Sequence, residues 1–261
     1  LVNMQDAQQM AGRWSEKKDV AQVSCFFSSK AEVTEDTIQS FEYSLKNVLQ
    51  EASITETSEN PSARLWVDAY SADGKITLVN GRNTLDANAI GIGGDFFLFH
   101  PLKLITGSYF SGNDLMQDYC IIDQDAAWQL FGSNDVVGMT VYIGNVPHIV
   151  TGVVRRPQGR MEKAAGLTST VVYVSYETLE AYGTNNGINH YEIVMPNPVD
   201  EFAYGKVKEG IGIDEKNVEI VENSRRYSLP NRIKTILAFG TRSWSICRTP
   251  SRWPDAGVKK R

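Results

Sequence analysis

The stretch YCIIDQDAAWQLFGSNDVVGMTVYIGNVPHIVTGVV, residues 119–154, carries the clearest secondary-structure signals in this chain. Apolar residues at 119–122 predict a strand, and residues 124–131 predict a two-turn helix that ends at Gly132. Two further apolar runs lie on either side of Gly144-Asn-Val-Pro147 and predict a hairpin. A strand, a helix and a hairpin in succession indicate an α+β domain.

A strand followed by a helix is also predicted near each end of the chain. Residues 19–27 alternate like a strand, and residues 35–51 carry apolar side chains at helical spacing behind Thr34, a residue type that suits an N-cap. Near the other end, the order strand, helix, strand is predicted at 191–194, 199–209 and 218–221. The simplest architecture is one lobe made from both chain ends, with a second lobe inserted between them.

These patterns divide the chain into four parts. Residues 19–101 plus 187–223 form the first lobe, and residues 102–186 form the inserted, smaller α/β lobe. Residues 1–18 are predicted to be a stalk or lead-in helix. Residues 224–261 are a return segment and an irregular tail, to which no fold is assigned.

Within the first lobe, a hairpin turn is predicted at Ser71-Ala-Asp-Gly74, because an Asp-Gly step favours tight turns. The runs 63–70 and 75–79 would be its two strands. A strand at 85–92 and a short helix at 95–100 are expected to follow.

Composition excludes several classes of protein. The chain has 261 residues, 42% of them apolar, and a net charge of -5. This is ordinary globular composition, and the net negative charge argues against a nucleic-acid partner, which would need a concentrated basic face. No apolar run reaches the ~18 to 20 residues that span a bilayer. Because the chain begins at Leu1 without an initiator Met, we expect it to be a fragment of a longer protein.

The residues that usually carry catalysis or metal binding are scattered. His100, His148 and His190 stand apart and show no metal-ligand spacing, so a structural or surface role is predicted for all three. Asp123 and Asp125 could form an Asp-x-Asp metal motif, but they precede a helix, where carboxylates cap free N–H groups. No nucleophile, base and orienting group can be nominated together. The sequence therefore predicts neither an enzyme nor a cofactor.

Other distinctive residues have structural explanations. Cys25 and Cys120 lie in strand-like runs and, like Cys247, are interpreted as buried thiols; a Cys25–Cys120 disulfide stays open. The glycines of Gly91-Ile-Gly-Gly94 suit a strand end with close-packed backbone better than a phosphate loop. Trp66 and Trp128 fall in predicted elements and are expected in the core.

A long loop after the predicted hairpin is the candidate contact region. It begins with Arg155, Arg156 and Arg160 and continues to Thr170. A solvated loop is one interpretation. The other is a mobile loop that contacts a partner or an anionic surface, because long loops on rigid hairpins often carry function.

Several short motifs follow one another in order along the chain: AIGIGGDFF (89–97), LITGSYF (104–110), CIIDQDAAWQLFG (120–132), DVVG (135–138), VYI (141–143) and IVTGVV (149–154). Each is weak alone. Together they resemble the MacB-like periplasmic core domain of ABC-transporter permeases of the MacB/FtsX type, over most of residues 19–221. The basic tail at 240–261, broken by Pro250 and Pro254, departs from the long apolar span expected there.

The resemblance implies a porter-like lobe of two β-α-β units from both chain ends, with an inserted smaller α/β lobe. It implies a place on the extracytoplasmic side of the cell membrane, with one transmembrane helix before the domain and three after it. The implied partners are a separate ABC ATPase subunit, a second copy of the permease or a related permease, and an extracytoplasmic protein. The implied role is to couple ATP-driven motion to export or to that partner, without bond-making chemistry.

Two alternatives stay open at this stage. One is a free-standing secreted or surface binding module that uses the cleft between the lobes. The other is an enzyme of unrecognised class.

Overall fold

The computed structural model describes residues 9–15, 19–55, 64–155 and 169–223. Within these ranges the chain forms six helices and eleven strands, and all the strands join one mixed sheet. The helices are α1 (Met10–Trp14), α2 (Glu35–Glu51), α3 (Phe96–Phe99), α4 (Gln124–Phe131), α5 (Tyr176–Tyr182) and α6 (Phe202–Gly210). The strands are β1 (Val20–Phe27), β2 (Val67–Asn80), β3 (Asn83–Gly94), β4 (Leu104–Gly107), β5 (Tyr119–Asp123), β6 (Thr140–Ile143), β7 (Val146–Val154), β8 (Val171–Ser175), β9 (Thr184–Asn185), β10 (His190–Pro196) and β11 (Val218–Glu222).

The strands from the two chain ends interleave in the order β11-β1-β10-β2. Strand β1 is antiparallel to both β10 and β11, and β10 is antiparallel to β2. Strands β1 and β2 therefore run parallel with β10 between them, and β10 and β11 run parallel with β1 between them. Each parallel pair and its helix is a split β-α-β unit. The predicted α+β fold with two β-α-β units from both chain ends is confirmed.

Helices α2 and α6 cover one face of these four strands. The buried residues of α2 recur at helical spacing and form one apolar stripe: Ile38, Phe41, Leu45 and Leu49. They join a single cluster with alternate residues of β1, namely Ala21, Val23, Cys25 and Phe27. Full burial of one large aliphatic or aromatic side chain is worth about 1.5–3 kcal/mol, so this stripe fixes α2 on the sheet.

The start of α2 matches the prediction at Thr34. Its backbone is extended (φ −111°, ψ 170°), as an N-cap requires, and Glu35 and Asp36 occupy the first turn. The Thr34 Oγ1 atom lies 3.3 Å from Thr37 Oγ1 and makes no side-chain cap to a backbone N–H. The acidic first turn therefore supplies the complement to the helix dipole.

The remaining strands extend the same sheet beyond β3, in the order β8-β5-β7-β4. Strand β3 pairs in parallel with β8, and β6 bridges β7 and β2. Strands of the predicted first lobe, β2 and β3, are thus hydrogen-bonded directly to strands of the predicted inserted lobe, β6 and β8, within one sheet. The division into two lobes at 101/102 and 186/187 stays a prediction.

The predicted hairpin at Ser71–Gly74 is wrong. Strand β2 runs unbroken from Val67 to Asn80, and the turn falls at Gly81 and Arg82, where Gly81 has φ +60°. Gly74 lies inside β2, where a glycine is required because neighbouring residues leave no room for a side chain. A Cβ atom there would overlap the carbonyl oxygen of Thr184 and the side chain of Leu179.

The stretch 119–154 folds as predicted. Strand β5 leads into α4, where the Ala126 N–H donates to Asp123 Oδ1 at 2.7 Å and Gly132 ends the helix with φ +72°. The β6–β7 hairpin turns at Gly144 and Asn145, both with positive φ, as in a type I′ turn. The predicted capping role of Asp123 is confirmed.

Two details of the tryptophan and helix predictions need correction. Trp128 lies on the outer face of α4 and is 58% exposed, whereas Trp66 packs against the core as predicted. The helix predicted at 199–209 begins at Phe202, and Val199 before it is exposed. Residues 9–15 of the predicted lead-in contain only the short helix α1, whose Met10 is buried.

A pair of acidic side chains is partly buried between α2 and β2. Burial raises the pKa of Glu42 to about 8, and the adjacent Asp68 adds to the shift. Burial also raises the pKa of Asp68, against a hydrogen bond from Glu42 and one from the Tyr191 hydroxyl at 3.0 Å to Asp68 Oδ2. The pair is therefore favoured with one shared proton, held by Glu42 and accepted by Asp68.

This pair makes stability fall as pH rises. A carboxyl whose pKa is raised on folding stabilises the fold fully below its ordinary pKa and loses that contribution as pH approaches the folded value. Glu42→Gln keeps a hydrogen-bond donor and removes the titration. Urea unfolding between about pH 5 and about pH 8.5 should show a smaller loss of unfolding free energy in the variant than in the unsubstituted chain. Glu51→Gln, at the exposed end of α2, is the matched control and should follow the unsubstituted chain; parallel curves for Glu42→Gln would refute the assignment.

Gly74→Ala should destabilise the protein, because its methyl group has no room beside Thr184 and Leu179. Overpacking of this kind costs about 1–3 kcal/mol. Gly205→Ala is the control, since nothing lies within 4 Å of a Cβ at that position in α6. It should stabilise by roughly 0.5–1 kcal/mol through helix propensity. Denaturant unfolding measures both changes, and equal effects would contradict the packing role of Gly74.

Candidate functional site

The predicted contact loop is described only at its first residue. Arg155 follows β7 directly and is exposed, and its backbone N–H donates to the Lys103 carbonyl at 2.8 Å. Arg156 and Arg160 lie outside the described residues. A contact role for the three arginines stays a prediction.

A polar cluster lies on the face of β1 and β10 that points away from α2 and α6. In the register of these strands Ser24 is opposite Glu192 and Phe26 is opposite His190, so all four side chains share this face. Ser24 and Glu192 are buried, at 1% and 4% exposed. A charged carboxylate therefore stands inside the protein, where it needs partners.

Helix α3 brings a second histidine to this carboxylate. Its Phe96, Phe97 and Phe99 are buried against the sheet, and His100 follows immediately. The His100 ring stacks on Phe96 with centroids 4.6 Å apart, and its Nε2 lies 2.7 Å from Glu192 Oε2. Helix α3 thus places His100 next to Glu192, which lies 92 positions further along the chain.

His190 completes the group from β10. Its ring stacks on Phe26 with centroids 4.7 Å apart and planes at 14°, and its Nε2 lies 3.7 Å from Glu192 Oε1. One ligand atom from each of His100, His190 and Glu192 lies within 4.8 Å of the others. We call these three residues the His–Glu cluster.

One side of Glu192 is held by a chain of hydrogen bonds. The Ser24 hydroxyl donates to Glu192 Oε1 at 2.8 Å, and Asn223 Nδ2 donates to Ser24 Oγ at 2.7 Å. The other side is incomplete, because Glu192 Oε2 and His190 Nε2 are buried without a hydrogen-bond partner. The contact that Oε2 does make is with His100, whose Nε2 lies 2.7 Å away, within ion-pair distance.

The electrostatics of the cluster follow from its burial. Burial alone would raise the pKa of Glu192, but the imidazoles of His100 and His190 and the Ser24 hydrogen bond outweigh it and lower the pKa to about 2. Burial lowers the pKa of His190, against the attraction of Glu192. At neutral pH Glu192 is therefore an anion and His190 is a neutral imidazole with a free lone pair.

Sequence reasoning missed this cluster. The structural or surface role predicted for His100 and His190 did not include their meeting at one carboxylate, because they are 90 residues apart. A signal was present in the run His190-Tyr-Glu-Ile-Val194, since residues two apart on a strand share a face and Glu192 interrupts an apolar pattern. For His148 the structural prediction is confirmed: it is 1% exposed, with Nδ1 3.0 Å from the Val146 carbonyl and Nε2 3.2 Å from Thr178 Oγ1.

Other candidate positions have packing roles. A Cβ at Gly93 would overlap the Tyr70 ring, and one at Gly91 would overlap Leu179, which confirms close-packed backbone in this run. Cys25 and Cys120 are buried and free, so the possible disulfide between them is excluded. Cys247 lies outside the described residues.

Comparison with known proteins places the chain in a family. Residues 4–220 match the MacB-like periplasmic core domain. Curated relatives include the macrolide export ATP-binding/permease protein MacB of Pasteurella multocida, 31% identical over 37% of this chain and 14% of that protein. The protein of the same name from Neisseria gonorrhoeae is 36% identical over 30% of this chain and 12% of that protein. The matched part of this chain thus spans only about one seventh of these relatives.

Solved structures show more distant likeness. The periplasmic region of MacB from Actinobacillus actinomycetemcomitans is 18% identical, with a TM-score of 0.48 over 83% of this chain and 92% of that one. The extracellular domain of the transporter YknZ from Gram-positive bacteria is 17% identical, with a TM-score of 0.46 over 77% and 99%.

Across the described ranges, no helix combines the length and apolar character needed to cross a bilayer. The family match over residues 4–220 covers most of the 261-residue chain. It includes all the strands of the interleaved β-α-β units except the last two residues of β11. The chain belongs to the MacB-like periplasmic core domain family.

Proposed function

We propose that this chain is the extracytoplasmic domain of an ABC-transporter permease and that it couples ATP-driven motion in the membrane to export or to an extracytoplasmic partner. The observation that carries the proposal is the position of the first and last strands of the fold. Strands β1 and β11 are antiparallel neighbours, and Val23 near the start of β1 is opposite Glu222 at the end of β11. The chain therefore enters and leaves the domain at the same end of the sheet.

This arrangement suits a domain that is held on one side of a membrane by flanking segments. Two segments that emerge from adjacent strands can reach the same surface without crossing the domain. We call the place where β1 meets the segments before and after the domain the junction. Hydrogen bonds reinforce it: Asn223 after β11 donates to Ser24 of β1, and the Met10 N–H donates to Gln22 Oε1 of β1 at 2.9 Å. A displacement of either flank is therefore applied directly to β1.

Strand β1 can pass such a displacement into the whole sheet. It is hydrogen-bonded along one side to β10 and along the other to β11, and α6 packs over β1 and β11 through Ala203 and Val207. Strand β10 in turn pairs with the long β2. In this role the domain moves as a lever and needs no bond-making chemistry or cofactor.

The proposed partners follow from the family. They are a separate ABC ATPase subunit, reached through membrane segments outside this domain, and a second copy of the permease or a related permease. An extracytoplasmic protein partner would be met by the loop that begins with Arg155, Arg156 and Arg160.

Sidedness can be tested by thiol labelling. Leu115→Cys places a thiol on a fully exposed residue, and native Cys25 and Cys120 are buried and free. In the full-length protein with Cys247→Ser, a membrane-impermeant maleimide should label Leu115→Cys in intact spheroplasts, because the domain faces outward. The same protein without Leu115→Cys gives the reference, and labelling above that reference reports the new thiol. Labelling that requires lysis would contradict an extracytoplasmic position and favour another class of protein.

Coupling can be tested by softening the junction at the end of β11. A short Gly-Ser insertion immediately after Asn223 lengthens the connection without changing the fold, so motion from the membrane should no longer reach β1. In the membrane-embedded complex with its ATPase, hydrogen exchange of the domain should differ between the ATP-bound and ADP-bound states. The insertion should abolish that difference while ATP hydrolysis persists.

The matched control is the same insertion after Arg82, in the exposed turn between β2 and β3 and away from the junction. It should keep the nucleotide-dependent difference. If both insertions leave the difference intact, the domain is not driven through its β11 junction and the coupling proposal fails.

A further inference from the structure

The proposed function does not account for the His–Glu cluster. A lever needs a rigid sheet, and a pair of apolar side chains at Glu192 and His190 would provide one without desolvating a charge. Instead, the fold buries a carboxylate oxygen and an imidazole nitrogen that lack hydrogen-bond partners. Each such atom needs an explanation, and where two of them stand beside a third potential ligand, a bound ion is one that accounts for both.

The unsatisfied atoms point to a cation. A carboxylate oxygen of Glu192 and an imidazole nitrogen of His190 are both atoms that can donate an electron pair to a metal ion. A second imidazole, His100, comes within 2.7 Å of the same carboxylate oxygen. Two imidazole nitrogens and one carboxylate oxygen are the ligand set of open zinc sites and of other divalent transition-metal sites.

The spacing is also compatible with one ion. At Zn–N and Zn–O distances of about 2.0–2.1 Å, ligand atoms of a tetrahedral site are about 3.3 Å apart. The observed separations are 2.7 Å from His100 Nε2 to Glu192 Oε2, which is below that value, and at most 4.8 Å between any two of the three ligand atoms. Small side-chain rotations would equalise them.

The surroundings resemble the support that metal ligands receive in proteins. Ser24 holds Glu192 Oε1, which leaves Oε2 for the ion, and Asn223 holds Ser24. Phe96 and Phe26 fix the planes of the two imidazoles by stacking. The His100 side chain is 25% exposed, so an ion can reach the cluster from solvent on that side.

We propose that His100, His190 and Glu192 bind one divalent transition-metal ion, with Zn²⁺ as the best match, and leave a fourth position for water. The ion would tie β10 to the segment after α3 and, through Ser24 and Asn223, to the end of β11. The site stands beside the junction where the chain leaves the domain. It is independent of the proposed transport role.

The test uses the whole 261-residue chain with Cys247→Ser, freed of metal by chelation, and Zn²⁺ alone as the probe. Calorimetry should give about one Zn²⁺ per chain with low-micromolar or tighter affinity, and Zn²⁺ should raise Tm by several degrees, because an ion that binds only the folded state stabilises it. His100→Gln and Glu192→Gln should abolish this binding. Ser24→Ala should weaken it by about 10- to 100-fold through loss of support to Glu192.

His148→Gln is the matched control, since it removes a buried histidine outside the cluster and should leave the stoichiometry unchanged. Co²⁺ in place of Zn²⁺ gives a readout on the unsubstituted chain even where a variant fails to fold: intense visible absorption indicates four-coordinate binding. Absence of stoichiometric Zn²⁺ binding would overturn the proposal. Binding that survives both His100→Gln and Glu192→Gln would also overturn it.

Discussion

The insertion of β10 between β1 and β2 is the constraint on which the rest of the structure depends. Strand β10 is hydrogen-bonded on both sides, to strands that precede it by more than a hundred residues. The Ser24–Glu192 hydrogen bond alone joins residues 168 positions apart. Such pairing offsets its loop-closure entropy only when segments from near both ends of the chain are in place, so the fold depends on both of them. The helices α2 and α6 then share one face, and the opposite face is left for α1 and α3.

Each face of this four-stranded layer buries an acidic group, and the cost of removing a carboxylate from water is offset differently on the two faces. On the α2 face, Glu42 and Asp68 reduce their charge by sharing a proton. On the α3 face, Glu192 keeps its charge and gathers histidines and a serine around it. The first solution works without any outside group. The second leaves donor atoms unsatisfied, which is why only the α3 face suggests a ligand.

Much of the fold could be predicted from the sequence, because its signals are local. Asp123 before a helix, Gly132 after it and Gly144-Asn145 at a turn each act within a few residues, and all three appear where the pattern placed them. The β-α-β order at both ends also followed from local periodicity. The interleaved order of the strands needed the family resemblance or the structure, since pairing of distant strands leaves no local trace.

The errors share one physical origin. Asp73-Gly74 has the composition of a turn, but tertiary contacts with Leu179 and Thr184 require a glycine inside a continuous strand. Tryptophan is a residue type that is usually buried, yet the surface of α4 that faces the sheet is already occupied by Ala126, Ala127 and Leu130, which leaves Trp128 outside. The His–Glu cluster depends on His100 and His190 meeting across the sheet. In each case the deciding neighbour is far away in sequence.

The length of β2 has a mechanical consequence. Its 14 residues extend for about 45 Å at the usual rise of a strand. Along this length β2 pairs first with β10, then with β9 and β6, while its other edge stays paired with β3. The β2–β3 hairpin is thus continuous, with no break in its pairing where the sheet passes from one half of the molecule to the other. A tilt imposed at the β10 end moves the distant turn at Gly81 by about 0.8 Å per degree, for an arm of about 45 Å, so small rotations near the chain ends become ångström-scale displacements at the far tip.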